Sequence, residues 1–131
     1  MHVPAPNPRR EYRLKQREQI EASALLAKRF PELKALKVTL EYYDADGVKK
    51  NGEMKCKLNM EHGRSALWFA CPGVECMEGD FDLSEALAKA VAGRRKAVTG
   101  AQVCPGTRKQ GKDGRVPCGA LLRYQLNLNY D

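Results

Sequence analysis

Apolar residues change their spacing several times along this chain, and each change marks a new element. From about Pro8 to Arg29 they recur at helical intervals, with Ile20, Ala24 and Ala27 on one face and Leu26 and Phe30 adjoining. Asn7 suits a helix N-cap and Pro8 the first helical position, where a missing N–H costs nothing. Pro31 disfavours helical geometry at Phe30 and ends the helix there. The period then drops to two: Leu36, Val38, Leu40 and Tyr42 alternate with Lys37, Thr39, Glu41 and Tyr43. A turn running from Asp44 to Gly52 leads to a second alternation, Met54, Cys56, Leu58 and Met60 against Glu53, Lys55, Lys57 and Asn59. The two segments predict an antiparallel hairpin with one wet face.

A third strand is expected from Ser65 to Cys71, buried on both faces, with Leu67, Trp68 and Phe69 anchoring the centre of the core. Asp82 and Glu85 have the spacing of a capping box and open a second helix, with Phe81 as its hydrophobic staple and Leu83, Leu87, Ala90 and Val91 as its apolar stripe. That helix stops near Gly93 or continues toward Gly100. A short strand reaches Cys104, a loop of Gly, Lys and Arg runs to Pro117, and a last strand covers Leu121 to Tyr130, with Leu122, Tyr124, Leu126, Leu128 and Tyr130 inward. The predicted fold class is α+β, in the order α-β-β-β-α-β-β, with two helices on one face of an antiparallel β-sheet. Residues 1–7, punctuated by Pro4 and Pro6, read as a disordered arm, and residues 8–131 as a single zinc-stabilised domain.

Composition adds the environment. An apolar fraction of 43% against 30% charged residues is that of a soluble globular chain. No apolar run approaches the roughly 18 residues that suggest a membrane span, so no membrane partner is expected. The first ten residues lack the apolar stretch of a secretory leader, which points to a cytoplasmic location. The net charge of +7 is concentrated toward the two ends around an acidic centre, a distribution that suits an anionic partner.

The chemistry lies in the cysteines. In a reducing compartment five cysteines fit four metal ligands and one bystander better than paired disulfides. Cys71-Pro72-Gly73-Val74-Glu75-Cys76 sets two thiols at knuckle spacing beyond a strand. Cys104-Pro105-Gly106 repeats the start of that turn on the other side of the second helix. Cys118 follows after thirteen intervening residues, so the second pair belongs to a hairpin whose base holds the ligands. Cys71, Cys76, Cys104 and Cys118 together make the closed tetrahedral set that one structural Zn2+ prefers. Inert thiols, a transient disulfide, another metal and a redox centre are the alternatives. Cys56 belongs to the inward series of its strand and reads as a small core residue.

Over about residues 66–122 this layout resembles zinc-ribbon and related four-cysteine domains, which implies a structural zinc. Trp68-Phe69-Ala70-Cys71-Pro72 with Gly79-Asp80-Phe81-Asp82-Leu83-Ser84 is also similar to an uncharacterised family of small bacterial proteins, a resemblance that implies a fold and supplies no activity.

No enzyme is expected. Four cysteines close the metal shell, whereas catalytic zinc keeps an open position. His62 beside Gly63 reads as a solvated loop residue, and Glu75, Glu78, Asp80 and Asp82 as structural acids near a helix start. Asp44-Ala45-Asp46-Gly47 reads as a turn, since it lacks the rest of a calcium loop. Two partner classes stay open. A nucleic acid or ribonucleoprotein would meet the basic first helix, the run Arg94, Arg95 and Lys96, and the loop residues Arg108, Lys109, Lys112 and Arg115 through phosphate contacts. A protein partner, in an adaptor or regulator role, would use the first helix or the acidic knuckle.

Overall fold

The computed structural model describes residues 8–71, 76, 79–110 and 114–130. The expected arm over 1–7 and Lys112 lie outside the described residues. The chain begins with α1 (Pro8–Ala22) and α2 (Leu26–Arg29), followed by β1 (Leu33–Tyr43) and β2 (Lys49–Leu58). A small hairpin, β3 (Trp68–Ala70) with β4 (Asp80–Asp82), precedes α3 (Ser84–Ala92) and β5 (Ala97–Val103). A second small hairpin, β6 (Thr107–Gln110) with β7 (Gly114–Pro117), leads to β8 (Leu121–Tyr130). The fold is α+β, and its main sheet is antiparallel throughout, in the order β2-β1-β8-β5.

The two-residue alternation places the core. In β1, Leu36, Val38 and Leu40 stand opposite Leu128, Leu126 and Tyr124 of β8, and opposite Leu58, Cys56 and Met54 of β2. This row is the inward face, onto which α2 brings Leu26 and α3 brings Leu87, Ala90 and Val91, while Met54, expected inward, is left 42% exposed on the edge strand. The odd-numbered positions, including Lys37, Thr39, Glu41, Lys55, Lys57, Arg123, Gln125 and Asn127, register together on the opposite, wet face. Tyr42 packs its ring against Phe81 of β4, with centroids 5.9 Å apart, and so joins the main sheet to the first small hairpin.

Several expectations are corrected. The first helix does not run unbroken to Arg29. It stops at Ala22 because residues 23–26 pair with a distant segment instead: Ser65 N donates to Ala24 O at 2.8 Å, Leu26 N to Gly63 O at 2.9 Å, and Leu25 bridges Arg64. Ser23 completes the break by hydrogen-bonding its hydroxyl to Ile20 O, which offers the backbone an alternative to the helix. Ala24 and Ala27 are accordingly exposed, and Gln16, Leu26 and Phe30 are buried. The third strand covers only Trp68–Ala70, and Trp68 is half-buried, so buried Leu67 and fully buried Phe81 take the central place expected of the tryptophan. Asp82 is one residue removed from the α3 cap: its Oδ1 accepts the Ser84 N–H at 2.8 Å, and Ser84 Oγ in turn accepts the Leu67 N–H at 2.8 Å. The helix ends at Ala92, at the nearer of its two expected stops.

Candidate metal centre

Four separate chain segments deliver the four thiols. Cys71 directly follows β3, and its N–H donates to Gly79 O at 3.2 Å, closing the loop that carries Cys76. Cys76 forms an isolated bridge with Arg108 of β6. Cys104 follows β5 and donates its N–H to Ala120 O at 2.8 Å, while Cys118 follows β7 and donates to Gly106 O at 2.9 Å. The second cysteine pair thus closes the base of the β6–β7 hairpin, as its thirteen-residue spacing predicts.

These segments bring the four sulfurs within 4.8 Å of one another, at sites 1 to 6% exposed. Cys71 Sγ lies 3.7 Å from Cys118 Sγ, and Cys76 Sγ lies 3.6 Å from Cys104 Sγ. A disulfide requires about 2.05 Å. A regular tetrahedron with metal–sulfur distances of 2.3 Å has edges of about 3.8 Å, so both pairs are spaced as opposite edges of such a shell. The set can hold a metal ion, and Cys56, opposite Val38 on the inward face, is outside it.

Backbone packing is shaped to the cluster. A Cβ on Gly79 would overlap the sulfurs of Cys76 and Cys104, and one on Gly106 would come within 2.8 Å of Cys76 Sγ and 2.7 Å of Gly79 N. Both positions admit only glycine because the chain presses against sulfur there. Gly106 N–H also points at Cys104 Sγ, 3.4 Å away. Burial pushes the Cys104 thiol well above its ordinary value despite that N–H. At Cys118 the same burial is outweighed by the Ala120 backbone and by hydrogen bonds with Cys71, Cys76 and Cys104, which leaves its thiol below the usual range. Holding all four sulfurs as thiolates at this spacing would take a cation, and one divalent ion would leave such a shell with two negative charges.

A second layer reaches the cluster from α1. Arg13 Nη2 donates to Cys71 O at 3.3 Å, which brings a positive charge to the rim of the sulfur site. Tyr12 Oη and Gln16 Nε2 both donate to Asp80 Oδ2, at 2.6 and 3.1 Å. Sequence patterning missed this contact and the role of Gly79. The available signals were Tyr12, Arg13 and Gln16 sharing one side of an otherwise weakly apolar helix, and a glycine three positions beyond Cys76.

The remaining candidates are dispersed. His62 is exposed in a turn where Asn59 Oδ1 accepts its backbone N–H. Asp80 and Asp82 are occupied as described, and Glu75 and Glu78 lie outside the described residues. Asp44 Oδ1 accepts N–H groups from Asp46 and Val48, which makes the acidic 44–47 segment a turn. Arg94 places its guanidinium 4.9 Å from the Tyr130 ring centroid, and Lys96 is exposed beside it at the start of β5. Arg108 and Arg115 are exposed on the β6–β7 hairpin, and Lys109 registers opposite Arg115. The seven residues of β5 separate Lys96 from Cys104, about 25 Å over eight extended steps, so the two basic runs are at opposite ends of β5. No helix among the described residues is long and apolar enough to cross a membrane. Compared with protein-family models, with curated proteins and with solved structures, the chain matches none.

Proposed function

We propose that this chain is a zinc-ribbon-like structural domain that holds one Zn2+ through Cys71, Cys76, Cys104 and Cys118, has no catalysis of its own, and presents a basic sheet face to a nucleic acid or ribonucleoprotein. The buried four-sulfur cluster, with its 3.6 and 3.7 Å edges, carries the metal reading. An all-thiolate donor set favours zinc, and four protein donors fill a tetrahedral shell, as at structural sites. A reducing, cytoplasmic location goes with thiolates that must stay reduced to bind.

The wet sheet face supports the partner. Lys37 stands directly opposite Lys57 across β1 and β2, with Lys55 one pair further along and Asn127, Gln125 and Arg123 beside them on β8. Glu41 and Glu53, opposite each other on the same face, are paired with Lys49 and Lys55 and leave Lys37, Lys57 and Arg123 as its net charge. Like charges placed opposite one another destabilise a sheet, and a polyanion laid across them relieves that cost. Tyr43 is the lone aromatic among these outward positions, so contact is to phosphates rather than to stacked bases, with weak sequence preference. The basic runs at the two ends of β5 widen the field.

Titrating binding to generic RNA and DNA against salt tests this. Affinity should fall steeply as salt rises, and Lys37→Glu with Lys57→Glu should flatten the slope by about one unit per lost phosphate contact. No binding at low salt refutes the nucleic-acid reading and moves the search to protein partners.

A further inference from the structure

The two edges of the main sheet are built differently. β2 carries Lys49, Lys50, Glu53, Lys55 and Lys57, the kind of charged edge that keeps strands from pairing with other chains. β5, at the other edge, reads Ala-Val-Thr-Gly-Ala-Gln-Val: seven residues with no charge and no proline. Its one sheet neighbour is β8, and among the described residues no backbone hydrogen bond reaches its outer side. Ala97, Thr99, Ala101 and Val103 are exposed, Val103 to 64%. This leaves an open template for another strand.

We infer that β5 pairs antiparallel with β5 of a second copy of this chain, joining two four-stranded sheets into one of eight. A two-fold axis beside Gly100, the middle residue of the strand, sets Thr99 against Ala101 and Ala97 against Val103 of the other copy, so no like charges meet along the seam. The flanking charge is self-complementary. A cleft of about 540 Å³ runs beside β5, between the sheet edge and α3. Asp82 and Glu85 line it near Gln102, whose amide donates to Asp82 O at 2.8 Å. Lys89, paired with Glu85 at 3.1 Å, lines its middle, and Arg95 lines it near the start of the strand, so Asp82 is the carboxylate left for a partner's Arg95. An antiparallel partner reverses that order and brings the Arg95 end of each copy to the acidic end of the other. A strand-shaped peptide would gain the same backbone bonds without using this reversal, which is why a second copy is the better fit.

Sedimentation equilibrium of the full, metal-loaded chain tests the inference. The expected mass is twice the 14.7 kDa of one chain, dissociating on dilution. Thr99→Lys with Ala101→Lys places lysines opposite one another across the seam at positions already exposed, so the variant should remain folded, with unchanged circular dichroism and metal content, and sediment as a monomer. Mixing it with the Thr99→Glu, Ala101→Glu variant should restore a heterodimer, which a merely damaged strand would not do. A wild-type chain that stays monomeric at every concentration overturns the inference. So does a dimer indifferent to these charges.

Discussion

Tyr12 in α1 donates its hydroxyl to Asp80 Oδ2 at 2.6 Å, bridging 68 positions of sequence and fastening the first helix to the strand that leads out of the cysteine knuckle. Gln16 donates to the same oxygen, and Arg13 reaches Cys71 O one turn away, so α1 is held by polar contacts rather than by an apolar stripe. Tyr12→Phe should cost about 0.5–1.5 kcal/mol, the usual net worth of one hydrogen bond. Asp80→Ala should cost more, since it leaves the Gln16 amide, 7% exposed, with its acceptor removed. Amide exchange should show the loss confined to α1 and the knuckle. Unchanged protection of α1 in Asp80→Ala would contradict this docking.

Gly79→Ala should abolish metal retention, because the new Cβ occupies the space of two sulfurs. Gly106→Ala should weaken it in the same way. Metal content and a thermal melt of each variant provide the check. A Gly79→Ala chain that binds metal like wild type would mean that the sulfurs are not held where the structure puts them.

Burial pushes the Tyr42 phenol up to about 12 from its ordinary 10.0, with smaller contributions from Cys56 and Cys71 in the same direction. Below pH 10 the phenol is protonated in both folded and unfolded chains, so the stability gained by burying it neutral is fully present. Between pH 10 and 12 the unfolded chain loses the proton while the folded one keeps it, and stability therefore falls as pH rises, by at most about 2–3 kcal/mol. Denaturant melts across that range should show the loss in wild type and a flatter dependence in Tyr42→Phe. An equal slope in both would assign the alkaline loss to other groups.

Phe81 is fully buried and packs on Tyr42 where the small hairpin meets the main sheet. Phe81→Ala should cost about 3–5 kcal/mol through lost burial and the cavity left behind, and half-buried Trp68→Ala should cost less. Chemical denaturation of both variants tests the order. The reverse order would restore the central role that aromatic content alone suggests for Trp68.

What could be read from the chain follows the range of the interactions involved. β1 and β8 were legible because an alternation such as Val38 and Leu126 records, residue by residue, which side faces the core. The cluster of four cysteines was legible because cysteine has few other reasons to recur beside Pro-Gly turns. The helix break at Ser23 was not, since its cause is pairing with residues 63–66, some 40 positions away. The cysteine spacing implies a hairpin at β6–β7, but its strands are not legible, because Thr107–Gln110 and Gly114–Pro117 carry almost no apolar alternation, and the closure at Cys118 and Gly106 supplies what patterning lacks. The docking of α1 was hidden for a related reason: hydrophobic periodicity says nothing of a helix held by Tyr12, Arg13 and Gln16.

The central claim is that Cys71, Cys76, Cys104 and Cys118 hold one structural zinc. Elemental analysis of the purified, folded chain tests it most directly. The expected result is about one zinc per chain, retained in Cys56→Ser and lost in Cys104→Ser together with the order of the C-terminal half, because metal binding and folding are coupled at such sites. A soluble, fully folded chain that contains no metal would contradict it.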